Sequence, residues 1–242
     1  MALYKEYGYD IQDGAAIIPE WETEIKEEAF YGCEELTSIT IPPSVTKIGN
    51  GAFESCSNLT SIIIPPSVTV IGEGAFFECS SLASINIPPS VTEIGEMAFW
   101  GCSSLAGIII PPSVREIGKD TFSGCSSLAS ITLPPSVTKI GEDSFAYCSN
   151  LIEAEGPVFA INKLPKEQLT SFVISDGVKN IGFAAFYGCS NLRNISIPES
   201  VLKIRHLAFS GCSRLTEVRI PKGCDVQRFA FGLFPNTKII RY

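Results

Sequence analysis

Six cysteines, Cys33, Cys56, Cys79, Cys102, Cys125 and Cys148, stand 23 residues apart, and Cys189 and Cys212 resume the interval after one gap of 41. Phe30, Phe53, Phe76, Phe99, Phe122, Phe145, Phe186 and Phe209 each precede one of these cysteines by three positions. Leu36, Leu59, Leu82, Leu105, Leu128, Leu151, Leu192 and Leu215 each follow one by three. A period kept in three residue types at once restricts the chain to one supersecondary unit that is copied and stacked. It overrides the one or two ordinary domains that 242 residues would otherwise suggest.

The unit Leu59 to Ser81 reads LTSIIIPPSVTVIGEGAFFECSS. Leu59, Ile62 and Ile64 carry the L-x-x-L-x-L start of a leucine-rich repeat, so Thr60 to Ile64 is predicted to be a strand with alternating side chains. Pro65 and Pro66 lack a backbone N–H and force the chain out of a ladder. Val68, Ile71, Ala75, Phe76 and Cys79 then return inward along an irregular or short helical arm. Gly72 is assigned a backbone conformation that side-chained residues resist. One such coil cannot cover its own apolar set, so burial must come from neighbouring coils.

The recurring I-P-P-S-V-T-x-I-G-x-x-A-F-x-x-C-S-x-L resembles the BspA-like leucine-rich repeat over roughly residues 13 to 242. The resemblance implies an α/β-type solenoid: a right-handed coil with one parallel β-sheet on the concave face and irregular or short helical convex arms. It implies no cofactor, and its members are mostly adhesive or protein-binding. On this reading residues 1–242 form a single solenoid. Residues 1–35 are an N-terminal cap and degenerate first coil, 36–150 regular repeats, 151–168 a shortened irregular repeat, 169–215 regular repeats and 216–242 a C-terminal cap. In that cap Cys224 takes the valine position and Phe234 lies near the usual cysteine. The shortened repeat, LIEAEGPVFAINKLPKEQ, is read either as a trimmed arm or as a bend or docking insertion. In both cases the strand ladder can continue through Ile152 to Gly156.

A net charge of −8 argues against a nucleic-acid partner, whose phosphates need a basic stripe, and disfavours an anionic membrane surface. No run approaches the length of a spanning helix, and Met1 to Gly14 lacks the apolar stretch of a secretory leader. As written, the chain is expected to be intracellular, with a surface or secreted location as the alternative if a leader or anchor has been removed.

Catalytic chemistry finds few groups to use. His206 is the only histidine, placed where a solvent-facing arm residue is expected, which leaves nothing for a histidine metal site or a triad. No phosphate-binding or dinucleotide glycine pattern occurs, so neither a small-molecule substrate nor a catalytic residue is assigned. The nine cysteines include no C-x-x-C pair, and eight of them share one inward position, which reads as packing. Coils about 4.8 Å apart hold equivalent Cβ atoms parallel and too far apart for an unstrained disulfide. The ladder thiols are therefore expected to be reduced and inert, with at most Cys224 reachable in the folded chain.

Function is left to the surface. Strand alternation gives one outward row of Ala15, Ser38, Ser61, Ser84, Gly107, Ser130, Glu153, Ser171, Asn194 and Glu217. A second row holds Ile17, Thr40, Ile63, Asn86, Ile109, Thr132, Glu155, Val173, Ser196 and Arg219. Eleven predicted strands would make a sheet roughly 48 Å long, at about 4.8 Å per strand. Its N-terminal half is neutral and its C-terminal half charged. Ile63, Asn86, Ile109, Thr132, Glu153, Glu155 and Arg219 are the candidate protein-contact residues, although exposed isoleucine also suits a strand by propensity alone. Phe77 and Trp100, with Tyr31 and Tyr187 at equivalent positions, are predicted to lie on the outer arm as either a cover for neighbouring coils or an interface. The chain therefore reads as a non-enzymatic protein-binding scaffold, or alternatively as a cell-surface adhesin of host or neighbouring-cell proteins.

Overall fold

The computed structural model describes residues 3–232 and 237–242, so Phe234 lies outside the described residues. The chain separates into two compact units, Met1–Ala129 with Ser136–Asn150, and Ser130–Pro135 with Leu151–Tyr242.

In the first unit the predicted strands appear at every coil, as Ala15–Ile17, Ser38–Thr40, Ser61–Ile63, Ser84–Asn86 and Gly107–Ile109. They run parallel one repeat apart, with Ala15 opposite Ser38 and Ser61 opposite Ser84. The middle residue of each, such as Ile62 and Ile85, is buried while its two neighbours face out, as the pleat requires. Inside, Phe30, Phe53, Phe76, Phe99, Phe122 and Phe145 form a continuous stack with ring centroids 5.3–5.6 Å apart. Tyr4 and Tyr9 stack on Phe30 and close the end of that column.

Of the two forms expected for the arms, irregular or short helical, the regular coils take the irregular one. Each carries two residues in the left-handed region four positions apart, for example Gly74 (φ 56°) with Glu78 (φ 55°) and Met97 (φ 53°) with Gly101 (φ 70°). No α-helix can accommodate that repeat. The arm backbones bond between coils, with Phe53 N–H donating to Ala75 O at 2.9 Å and Phe76 N–H to Ala98 O at 2.8 Å. A second parallel ladder also appears where one sheet was expected. Two-residue strands Glu24–Ile25, Lys47–Ile48, Val70–Ile71 and Glu93–Ile94 pair in order, and Glu116–Ile117 pairs with Lys139–Ile140.

Gly72 is corrected in its role too. It is not among the left-handed residues, and a Cβ there would lie 2.7 Å from Asn50 N and from Gly49 C. The position needs glycine because the previous coil's backbone passes against it. The first residues also fold beyond what was read from them: a short helix Leu3–Glu6 leads into Asp10–Gln12, antiparallel to Ala15–Ile17. Asp13 (φ 50°) and Gly14 (φ 80°) form the turn, and an Asp-Gly pair between strand residues is the signal that marks it.

In the second unit Ser130–Thr132, Glu153–Gly156, Ser171–Ile174 and Asn194–Ser196 form one parallel ladder, and Glu217–Ile220 pairs with Lys238–Arg241. The ladder thus runs through the shortened repeat. Its arm is replaced by a 3-10 turn, Val158–Asn162, that buries Ala160 and Ile161, with Leu164 buried behind it. Asn180–Ile181, Lys203–Ile204 and Asp225–Val226 form this unit's second ladder. Phe172 meets Phe186 edge-on, and Phe186, Phe209 and Phe231 stack.

Candidate protein-contact surfaces

On the first unit's strand face Ile17, Ile63 and Ile109 are 71%, 83% and 72% exposed, and the intervening Thr40 and Asn86 are exposed as well. Ala15, Ser38, Ser61 and Ser84 stand open beside them, with Gly107 half-buried. Every outward residue of these five strands is uncharged. Isoleucine therefore recurs on alternate strands over a background of small side chains. Ile63, Asn86 and Ile109 share this face.

In the second unit Thr132 is half-buried beside Glu155, its register partner, and Glu153 and Glu155 both face out. Val173 and Ser196 continue that row. Arg219 is exposed at its far side, its Nε 3.7 Å from the Glu217 carboxylate. Such an exposed ion pair contributes little stability and leaves the charges open to a partner.

On the first unit's arms Phe77 and Trp100 lie ring on ring, with centroids 4.6 Å apart and planes 8° from parallel. Both are half-buried, and Tyr31 in the same arm row is more open. Tyr187 is similarly exposed in the second unit. The glutamates bordering the aromatic pair went unremarked in the sequence. No periodic signal marked them, since Glu28, Glu54 and Glu78 stand 26 and 24 residues apart and so fall off the 23-residue period.

The thiols show why cysteine recurs. Cys56, Cys79, Cys102, Cys125, Cys148 and Cys212 each donate to the carbonyl of the phenylalanine 26 residues earlier, at 3.0–3.2 Å. All nine cysteines are buried, and none forms a disulfide. Burial pushes the thiols upward, Cys79 and Cys148 to about 12. Cys189 departs from the pattern: a hydrogen bond with the Cys212 thiol and the nearby Lys166 ammonium draw it downward against its burial. Cys224, the one thiol left open to reagent by the sequence, is buried as well. His206 is half-buried on the arm. Its Nδ1 lies 2.8 Å from Arg228 O, and its ring sits between Phe183 and Phe229. Among the described residues no three His, Cys, Asp or Glu side chains gather to hold a metal ion, and no helix is long and apolar enough to cross a membrane.

These coils can be matched to known proteins. The BspA type leucine rich repeat region matches residues 23–152 and 163–241 in six copies. The chain belongs to that family. The unmatched stretch, residues 153–162, lies within the shortened repeat. A Treponema pallidum leucine-rich repeat protein is 32% identical over 86% of each chain, with a TM-score of 0.54. The pneumococcal vaccine antigen PcpA shares the fold at 23% identity, covering 93% of this chain and 71% of its own, with a TM-score of 0.50. A leucine-rich repeat protein from Bacteroides ovatus is 24% identical over 96% of this chain and 88% of its own, with a TM-score of 0.44. No curated protein matches the chain. Stacked coils of parallel strands with almost no helix are what the relatives and this chain have in common.

Proposed function

We propose that the chain is a non-enzymatic scaffold that binds other proteins through its repeat surface, with the first unit's strand face as the principal contact. The observation that carries this reading is the exposure of Ile17, Ile63 and Ile109 on a face with no charged outward residue. A charge-free surface with isolated large apolar anchors costs little to desolvate and gains by burial, whereas charged residues are depleted from interface cores. In the second unit Thr132, Glu153, Glu155 and Arg219 give a polar surface suited to orienting a partner more than to holding it.

Changing Ile63→Asp together with Ile109→Asp should abolish capture of the native partner from extract and leave the melting temperature within about 2 °C, as for exposed positions outside the core. Undiminished capture by the double variant would end the reading. Fractionating the source cell decides where the scaffold works. Recovery from the cell surface would make it an adhesin of the BspA type, and recovery from the interior an assembly component.

A further inference from the structure

Two pits of about 340 and about 360 Å3 flank the Phe77–Trp100 pair on the first unit's arms. The first is floored by Gly51 and Gly74 and walled by Phe77, Met97 and the carboxylates of Glu27, Glu28, Glu54 and Glu73. The second is formed by Trp100, Gly101 and three serines, with Glu34 and Glu78. Neither contains a lysine or an arginine. None of the ion pairs found among the described residues engages these glutamates.

The surface is unbalanced in a way that folding does not explain. Glu54 is half-buried, and its carboxyl is held above the usual range by burial and by repulsion from Glu28 and Glu78. The stack leaves one face of Phe77 turned away from Trp100, toward the coil that carries Glu54. A cation between that carboxylate and that ring face would meet a negative charge on one side and the negative face of an aromatic quadrupole on the other. The carboxylates do not converge as a metal-binding group, so the complementary charge must be spread over a larger partner. Nucleic acid is repelled by the same glutamates.

We infer that the arm surface around Phe77 and Trp100 binds an arginine- or lysine-bearing segment of a partner protein, seating its cationic side chains in the two acidic, aromatic-walled pits. This rests on the protein-binding reading above but uses a different face, so the two can fail separately. Guanidinium suits the site better than ammonium, because it stacks on a ring while its N–H groups reach a carboxylate.

The test uses the full chain carrying Trp21→Phe, which leaves Trp100 as the only tryptophan. The probe is a six-residue peptide of alternating arginine and serine, titrated against Trp100 emission. Its control has citrulline at each arginine, keeping shape and removing charge. The arginine peptide should give a saturable change, bind roughly tenfold or more tightly than the citrulline peptide, as a charged hydrogen bond implies, and weaken with added salt. Glu54→Gln and Phe77→Ala should each weaken it about fivefold or more. Equal titration by the two peptides, no saturation, or both variants binding like the parent would overturn the proposal. The Ile63→Asp, Ile109→Asp chain should titrate like the parent. Loss of partner capture with peptide binding intact supports both readings, and peptide binding without any strand-face effect discards only the strand-face reading.

Discussion

A regular coil of the first unit and the coil after the shortened repeat in the second carry the same consensus residues in different surroundings. In the first unit Phe76 is stacked between Phe53 and Phe99, Cys79 donates to the Phe53 carbonyl, and Gly72 lies hard against the backbone of the coil before it. In the second unit Phe186 meets Phe172 edge-on, the Cys189 thiol pairs with the Cys212 thiol, and a Cβ on Gly182 would meet nothing within 4 Å. The residues are alike, and what changes is the preceding arm. These phenylalanine, cysteine and glycine positions therefore each make a contact with the previous coil that changes where that coil is cut short. Phe172 supplies part of the missing volume from the strand side, opposite the small Ala154.

The thiol ladder should produce the largest effect that separates the two regions. Burial holds Cys56, Cys79, Cys102, Cys125 and Cys148 protonated in the folded first unit, above their ordinary value. Unfolded thiols lose their protons near pH 8.5. Above that pH the unfolded state binds fewer protons than the folded one, so stability falls as pH rises. The loss is about 1.4 kcal/mol per thiol per pH unit. For five thiols it is on the order of 7 kcal/mol one unit above the unfolded value. Urea midpoints should be level from pH 6 to 8 and collapse between about pH 9 and 10, with the first unit's amides losing exchange protection before the second unit's. A midpoint unchanged at pH 10 would contradict a fully packed thiol column.

How much of this was legible follows from the same contrast. The strand positions, the inward phenylalanines and the outward row holding Ile63, Asn86 and Ile109 could be read because each is set by its place in a 23-residue period. Thr60 to Ile64 was predicted as strand, and Ser61–Ile63 is observed. The arms were left as irregular or short helical because the helix-like spacing of Ile71, Ala75 and Phe76 also fits a chain broken by left-handed residues. The identities there, Glu78, Met97 and Leu207 among them, do not advertise that conformation. The role of Gly72 could not be seen from one coil, because the atom that forbids a side chain belongs to another. Contacts between coils also placed the glutamates about Phe77, since Glu27 and Glu28, Glu54, and Glu73 come from successive coils.

The close approach gives the next test. Gly72→Ala pushes a methyl against backbone that cannot swing aside, and should cost about 1–3 kcal/mol, the range for overpacking. Gly182→Ala has open space and no left-handed φ, so it should stay within about 0.5 kcal/mol of the parent. Chemical denaturation of the two single variants measures both. Equal costs would mean that the glycine is required by its own backbone and not by its neighbour.

The smallest effect is one in which the two regions should agree. Met97 in the first unit (φ 53°) and Leu207 in the second (φ 57°) both occupy the left-handed site before the alanine-phenylalanine pair, where Gly51 and Gly74 stand in other coils. A side chain there costs about 1–2 kcal/mol, and glycine returns about 0.4–1 of that through the freedom it gives the unfolded chain. Met97→Gly and Leu207→Gly should each stabilise by up to about 1 kcal/mol, less whatever packing the lost side chain supplied. Gly74→Ala should cost a similar amount, since its Cβ would lie at an ordinary 3.7 Å from the Phe77 Cβ and pays only for conformation. Because this strain is local to one residue, the preceding coil should not matter, and urea midpoints for the Met97 and Leu207 variants should shift together. A gain in one unit with a loss in the other would show that even this turn is set by its neighbour, and that no part of the repeat folds by local preference alone.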